Sequence, residues 1–381
     1  MIINMDKILL CNCCADDPYA KISNYLLENH MEEVLAGIKQ KAEAVSAVEI
    51  AVLLPKKAVF RFTPDIKIYY AEESMITINS YAAAEVMKGK VPRPVISEEP
   101  ALFDNKEIVM ITAEVAYLLA KAENDTTKTK IMFLNDSMKT DVVEVPLKSK
   151  LIEVIQGREV SMNHVKGILL GGIRGRFIAE DDLTDYEVAG DNLYDSITFY
   201  NQDACMVEEI KQLSQLIQST SCGKCVLCRE GSLQYMTIIE DMTAGKSKIA
   251  DLELLKEISG LIKIGAYCDF GQAMPNLFTT GFDLFQEEFD IHIKKKSCPS
   301  GVCQAFASYC ILPKQCTGCE ECIDSCPEEA IEGKKGFIHM INEDLCEKCG
   351  KCVEACEEQA IIRIVGMKPK LPQKLTKVGK F

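Results

Sequence analysis

The 381-residue chain has no tryptophan, only four histidines and, in its first 88 positions, a single glycine, Gly37. So few histidines leave little capacity for general acid–base work, and no Ser/His/Asp or Cys/His arrangement stands out to activate a nucleophile. No catalytic residue is expected. Long apolar runs are missing too. The longest, Ile108 to Ala120, is interrupted by Glu114 and falls short of the roughly 20 residues a membrane helix needs. Positive charge is in deficit, with 43 Lys and Arg against 57 Asp and Glu for a net −14. That balance excludes nucleic acid as a natural partner, because phosphate binding needs clustered cations. The opening MIINMDKILLCNCC carries one lysine and too short an apolar stretch for a secretory signal. At this length, with 48% hydrophobic and 26% charged residues, two to four soluble domains are expected.

Cysteine is the residue in excess. Nineteen are present, and without an export signal they point to a reducing cytoplasm, where thiolates hold metal in preference to pairing. Eight fall into two runs near the end, Cys316-x2-Cys319-x2-Cys322-x3-Cys326-Pro327 and Cys346-x2-Cys349-x2-Cys352-x3-Cys356. In two-cluster ferredoxins the fourth cysteine of each run ligates the other cluster. Cluster A is therefore expected on Cys316, Cys319, Cys322 and Cys356, and cluster B on Cys346, Cys349, Cys352 and Cys326. The rival is a pair of zinc sites on the same CxxC pairs. The second run carries Glu357 where the first has Pro327. A third set, Cys222-x2-Cys225-x2-Cys228 with a lone Cys268, lies upstream.

Periodicity places these sets in an α+β multidomain chain. Tyr19–Lys41 reads as helix, Ala47–Leu54 as a buried strand, and Val86–Pro100, with three prolines, as an extended connection. Strand-like runs at Lys130–Phe133, Val142–Val145 and Gly167–Leu170 surround a helix at Lys148–Gln156, an order suited to a small β-grasp module. Ala204–Ile293 is almost wholly helical, and the segment after Ser297 holds two copies of one cysteine-rich unit. The last stretch, Lys368 to Lys380, has five lysines and two prolines and is expected to be a solvated, poorly ordered end, with a docking strand for an acidic partner as the alternative.

The motif Ser221-Cys-Gly-Lys-Cys-Val-Leu-Cys-Arg-Glu-Gly231, with Tyr267-Cys-Asp-Phe-Gly-Gln272 and Phe285-Gln-Glu-Glu-Phe289, resembles the NADH-oxidising flavoprotein subunit of respiratory complex I. It is more similar still to the beta subunit of electron-bifurcating [FeFe] hydrogenases, in which a two-cluster ferredoxin module follows. The resemblance implies a [4Fe–4S] cluster on Cys222, Cys225, Cys228 and Cys268. It also implies five segments: 1–125, a truncated, degenerate α/β flavin/NADH domain; 126–200, an SLBB-like β-grasp domain; 201–296, a helical-bundle [4Fe–4S] domain; 297–367, the two-[4Fe–4S] ferredoxin-like domain; and 368–381, the basic tail.

The likeness weakens toward the amino end. The family's glycine-rich phosphate loop is missing there, and glycine is what lets backbone amides approach a phosphate. The family's Cys-Asn-Ala-Asp-Glu reads Cys11-Asn12-Cys13-Cys14-Ala15. Gly-Glu-Glu-Thr reads Ala71-Glu72-Glu73-Ser74, and the paired asparagines become Ile111 and Thr112. FMN and nicotinamide binding are therefore expected to be lost. The alternative keeps FMN on Asn12, Glu72 and Glu73.

Seven cysteines remain. Cys205 is expected to be a small buried hydrophobe, Cys11 a core residue, and Cys13 and Cys14 inert. His292, Cys298, Cys303 and Cys310 are candidates for a structural zinc, against a reading in which Cys310 is core and His292 a surface cap. The whole reads as a non-catalytic relay with three [4Fe–4S] clusters, passing electrons between a partner's flavin or [2Fe–2S] centre and ferredoxin. The resemblance implies a thioredoxin-like [2Fe–2S] subunit, a subunit handling flavin, NAD(P) or hydrogen, and oxygen-sensitive clusters suited to an anaerobe. A structural or regulatory iron–sulfur scaffold is the remaining alternative.

Overall fold

The computed structural model describes residues 5–122, 128–156, 165–188, 195–365 and 369–381. The expected boundaries at 125/126 and 367/368 lie outside the described residues. Two compact units emerge. The first comprises Met1–Gln202, Ile210–Thr237 and Leu252–Leu284, and the second comprises Asp203–Glu209, Ile238–Asp251 and Phe285–Phe381.

The first unit opens with β1 (Lys7–Asn12), α1 (Ile22–Asn29), α2 (Met31–Ala44), β2 (Glu49–Pro55), β3 (Ile66–Ala71), α3 (Ser80–Met87), β4 (Leu102–Phe103), β5 (Lys106–Thr112) and α4 (Ala113–Ala122). The strands form one sheet in the order β3-β2-β1-β5-β4. It is parallel except for β4. Alternation across β1 sends Leu9 and Cys11 into the core shared with α1, α2 and α4, and Ile8 and Leu10 into the core shared with α3. A strand covered on both faces has no polar side, so KILLCN and EIAVLLP read as near-continuous apolar runs. Where one helix was expected over Tyr19–Lys41, there are two. His30, at φ −139°, leaves helical geometry while its N–H still closes on the Leu26 carbonyl. Gly37 is needed for a close approach, since a Cβ there would stand 1.8 Å from the Ala116 carbonyl oxygen of α4.

A second sheet follows, from β6 (Thr129–Asn135), β7 (Thr140–Pro146), β8 (Val165–Leu170), β9 (Arg176–Ile178) and β10 (Ser196–Asn201), with α5 (Leu151–Ile155) after β7. Its order is β7-β6-β10-β8-β9, with β10 parallel to β6. Helices α6 (Met206–Thr220), α7 (Val226–Thr243) and α8 (Ala250–Gly265) contribute residues to both units, and α9 (Asp269–Leu284) belongs to the first. The Tyr235 ring of α7 stacks on Phe278 of α9 at 3.9 Å, and its hydroxyl pairs with Ser259 of α8.

The second unit contains α10 (Gln286–Lys294), β11 (Ala307–Ile311), α11 (Glu321–Asp324), β12 (Ile331–Glu332), β13 (Met340–Ile341), α12 (Lys351–Ala355) and β14 (Ile361–Val365). Antiparallel pairs β11–β14 and β12–β13 frame the cysteine repeat. The basic end is not a loose tail. The Ile338 N–H donates to the Thr376 carbonyl at 2.8 Å and the Val378 N–H to the Gly336 carbonyl at 3.1 Å. Backbone pairing of this kind is indifferent to side-chain charge, so the lysine-rich composition did not reveal it.

Candidate metal centres

In the first unit, Cys222 and Cys225 lie in the loop between α6 and α7, Cys228 in the first turn of α7, and Cys268 in the loop between α8 and α9. Gly223, at φ +70°, allows the tight turn between the first two. The four thiols sense one another. Burial pushes Cys228 up to about 11, with Cys268, Cys225 and Cys222 pushing the same way. Burial likewise raises Cys268, helped by Cys222 and Cys225. Such a set is costly as four separate thiolates and favourable once a cation draws charge from them. Donors are already aimed at the sulfurs. The Tyr267 N–H reaches Cys225 Sγ at 3.4 Å, and Ser221 Oγ lies 3.6 Å from Cys228 Sγ. The helices close in through glycine: a Cβ on Gly271 would stand 2.7 Å from Ala266 Cβ and 3.5 Å from Cys228 Sγ. Of the two neighbouring cations, Lys224 donates to the Pro94 carbonyl at 2.8 Å, while Arg229 pairs with Glu230 at 2.8 Å. Arg229's charge is thus compensated locally.

In the second unit the two ferredoxin runs cross over. One cavity is lined by Cys346, Cys349 and Cys352 of the second run together with Cys326 of the first. Burial pushes Cys322 up to about 12, and the thiols of Cys316, Cys319 and Cys356 add to it. For Cys352, raised by burial, the neighbours are Cys346, Cys326 and Cys349. The fourth cysteine of each run therefore stands with the other run's first three. Matching backbone donors accompany them, Ala330 N–H to Cys326 Sγ at 3.4 Å and Ala360 N–H to Cys356 Sγ at 3.3 Å.

A third kind of site lies wholly inside the second unit. Cys205, His292, Cys298 and Cys303 are all buried, and their ligand atoms lie within 4.8 Å of one another. Cys205 Sγ stands 3.4 Å from His292 Nε2 and 3.6 Å from Cys303 Sγ, with Cys303 Sγ 3.5 Å from the same nitrogen. Tetrahedral ligands at usual zinc bond lengths, about 2.3 Å to sulfur and 2.0 Å to nitrogen, stand about 3.5–3.8 Å apart. His292 Nδ1 bonds the Glu288 carbonyl at 2.8 Å, leaving Nε2 for a metal. Hydrogen bonds from Cys205 and Cys303 hold Cys298 well below the ordinary thiol range, while the contacts with Cys298 and Cys303 hold Cys205 above it.

This arrangement corrects two expectations. Cys205, expected to be a small buried hydrophobe, is buried but stands in this group, and Cys310 is not among its four members. Cys310 sits on β11 opposite Ile362. No local spacing could have exposed Cys205, which precedes His292 by 87 positions. Its segment is held by a Met206 N–H bond to the Glu288 carboxylate at 3.1 Å and by Ser300 Oγ donating to the Ala204 carbonyl at 2.8 Å. Cys11, Cys13 and Cys14 are buried, Cys11 in the core as expected. Among the described residues no disulfide forms, and no helix is long and apolar enough to cross a membrane.

Sets of thiolates at this spacing define an iron–sulfur protein of the electron-transfer kind. Comparison with known proteins agrees. Residues 208–292 match the NADH-ubiquinone oxidoreductase-F iron-sulfur binding region, and residues 315–361 match a 4Fe-4S dicluster domain. The chain resembles the NADP-reducing hydrogenase subunit HndC of Solidesulfovibrio fructosivorans, at 33% identity over 72% of this chain and 61% of that one. It also resembles an NADH-quinone oxidoreductase subunit of Rhizobium meliloti, at 26% identity over 42% of this chain and 41% of that one. The chain thus spans less than two thirds of the length of these relatives. In fold it matches the crystal structure of an NAD+-reducing [NiFe]-hydrogenase in its H2-reduced state, with TM-score 0.67, 18% identity, 76% of this chain and 56% of that one.

Proposed function

We propose that the chain is the iron–sulfur wiring subunit of a multi-subunit oxidoreductase, carrying three [4Fe–4S] clusters and passing single electrons between a partner's flavin or [2Fe–2S] centre and a ferredoxin-type acceptor. The observation that carries this reading is the grouping of twelve cysteines into three converging sets, each with N–H or hydroxyl groups near its sulfurs. One cubane is held by Cys222, Cys225, Cys228 and Cys268. Cluster A is held by Cys316, Cys319, Cys322 and Cys356, and cluster B by Cys346, Cys349, Cys352 and Cys326. Bound there, the clusters supply reversible one-electron chemistry, and the protein sets their potentials through burial, charge and hydrogen bonds. The β6–β7 hairpin, α5 and the parallel return strand β10 support a β-grasp assignment for that sheet.

The front sheet serves as scaffold in this reading. Ligands of open α/β sheets sit at the carboxyl ends of strands where the order reverses, here beyond β1 and β5. Asp16, Asp17, Met75, Ile78, Thr112 and Glu114 crowd that crevice, leaving about 40 Å3, against the roughly 300 Å3 or more of a cofactor pocket. Burial pushes Asp16 and Glu114 up to about 7 and Asp17 up to about 6. The Asn12 side chain is engaged with the Thr77 carbonyl at 2.7 Å and the Cys14 N–H at 2.9 Å. Lys21 and Lys56 pair with Glu73 and Glu72. These contacts favour a front domain without FMN.

The buried Cys205–His292–Cys298–Cys303 set is assigned a structural zinc in the same reading. Iron, acid-labile sulfide, zinc and flavin analysis of the anaerobically purified chain tests all of it. Three cubanes, one zinc and no flavin are expected. Stoichiometric FMN, or fewer than three reducible clusters, overturns it. The acceptor is tested by whether reduced ferredoxin fills or drains the clusters at a kinetically competent rate.

A further inference from the structure

The two ferredoxin half-units repeat at an interval of thirty residues, from Cys316 to Cys346 and from Cys326 to Cys356. The repeat extends to their backbone donors, Ala330 and Ala360, which reach equivalent sulfurs. It fails at the position seven residues before each first cysteine, where the first half carries Tyr309 and the second His339. Tyr309 lines the cavity shared by the cluster B cysteines. His339 is 1% exposed, and its Nδ1 stands 3.2 Å from Cys322 Sγ.

We infer that His339 is a hydrogen-bond donor to the Cys322 sulfur of cluster A, and that this one bond, with no counterpart at Tyr309, sets cluster A at a higher reduction potential than cluster B. The inference rests on the cluster assignment above. A cysteine bound to iron carries no proton and can only accept, so a bond across 3.2 Å requires the proton on Nδ1. Space is reserved for the ring: a Cβ on Gly333 would stand 1.9 Å from His339 Cδ2. Donors to cluster sulfurs stabilise the more electron-rich, reduced state and raise the potential. The pair thus becomes a graded step, with electrons resting on A in preference to B.

Redox titration of the full chain followed by electron paramagnetic resonance tests this. His339→Leu removes the donor, and His339→Asn places an amide N–H near the position of Nδ1. The leucine variant should lower one ferredoxin couple by about tenfold in reduction equilibrium, about 59 mV for one electron. The other couple should stay in place, and the asparagine variant should restore most of the shift. Fully loaded clusters with neither couple moved in His339→Leu overturn the inference while leaving the cluster assignment intact. Missing cubanes in the unaltered protein would instead sink the assignment. Should His339→Leu lose cluster A, 15N-histidine labelling of the unaltered chain decides. A nitrogen coupling to one reduced ferredoxin cluster, absent in His339→Asn, supports the bond, and no coupling refutes it.

Discussion

The front sheet and the ferredoxin repeat both end their strands in short polar turns, yet they put them to opposite uses. After β1 the turn Asn12–Asp17 folds inward. Asn12 bonds Thr77, Asp16 bonds Ser23, and Asp17 receives the N–H groups of Tyr19 and Ile173. The side chains of Asn12, Asp16 and Asp17 are spent on the protein's own backbone and side chains. In the repeat the turns bring Cys326, Cys346, Cys349 and Cys352 to one cavity, with backbone N–H groups directed at the Cys326 and Cys356 sulfurs. A scaffold that satisfies its own polar groups has little left for a ligand, whereas one that leaves thiols converging is incomplete without a cation. In the proposed reading the contrast separates structure kept for shape from structure kept for chemistry.

The sharpest way to break the comparison is to remove a ligand. Cys352→Ala should cost one cubane, a third of the cluster iron, and one signal in reduced spectra; iron analysis showing all three clusters intact would refute its role. Cys205→Ser should lose the zinc and several kcal/mol of stability, whereas Cys310→Ser should keep the metal. Metal analysis and thermal unfolding of the two variants read this directly. Gly271→Ala presses a methyl group against Ala266 and Cys228. An overpacking cost of about 1–3 kcal/mol and selective loss of the Cys222 cluster signal should follow.

On the scaffold side, Glu114→Gln should stabilise. Burial raises the Glu114 carboxyl from 4.5 to about 7, so the folded state binds the proton more tightly than the unfolded one. Stability is then fully present below about pH 4.5 and falls as the pH rises through 7. The amide should raise the melting temperature at pH 8 and much less at pH 5.5; equal shifts at both would contradict the assignment. The smallest effect is expected from removing residues 374–381, which deletes the bonds to Gly336 and Ile338. About 1 kcal/mol should go from the second unit, read as a lower unfolding midpoint with both ferredoxin clusters retained.

Much of this was legible in the amino-acid order. Ala47–Leu54 announced a buried strand because a doubly covered strand has no polar face, and β2 lies there. The three CxxCxxC runs announced themselves because one or two turns of chain must wrap one cluster, which makes their spacing local. The crossing of Cys326 and Cys356 followed from the repeat. The break at His30 escaped, because the apolar period continues across a single non-helical residue.

Spacing and periodicity thus marked the cysteine runs, the buried strand at β2 and the helical middle, all of which depend on contacts within a few turns of chain; Cys268 was legible through the family resemblance. Only the folded chain could bring Cys205 to His292, exchange it for Cys310, seat the lysine-rich end beside residues 336–338, and lay His339 against Cys322. Those pairings join segments whose separation along the chain carries no periodic trace. Nothing short of tertiary packing says which buried group faces which.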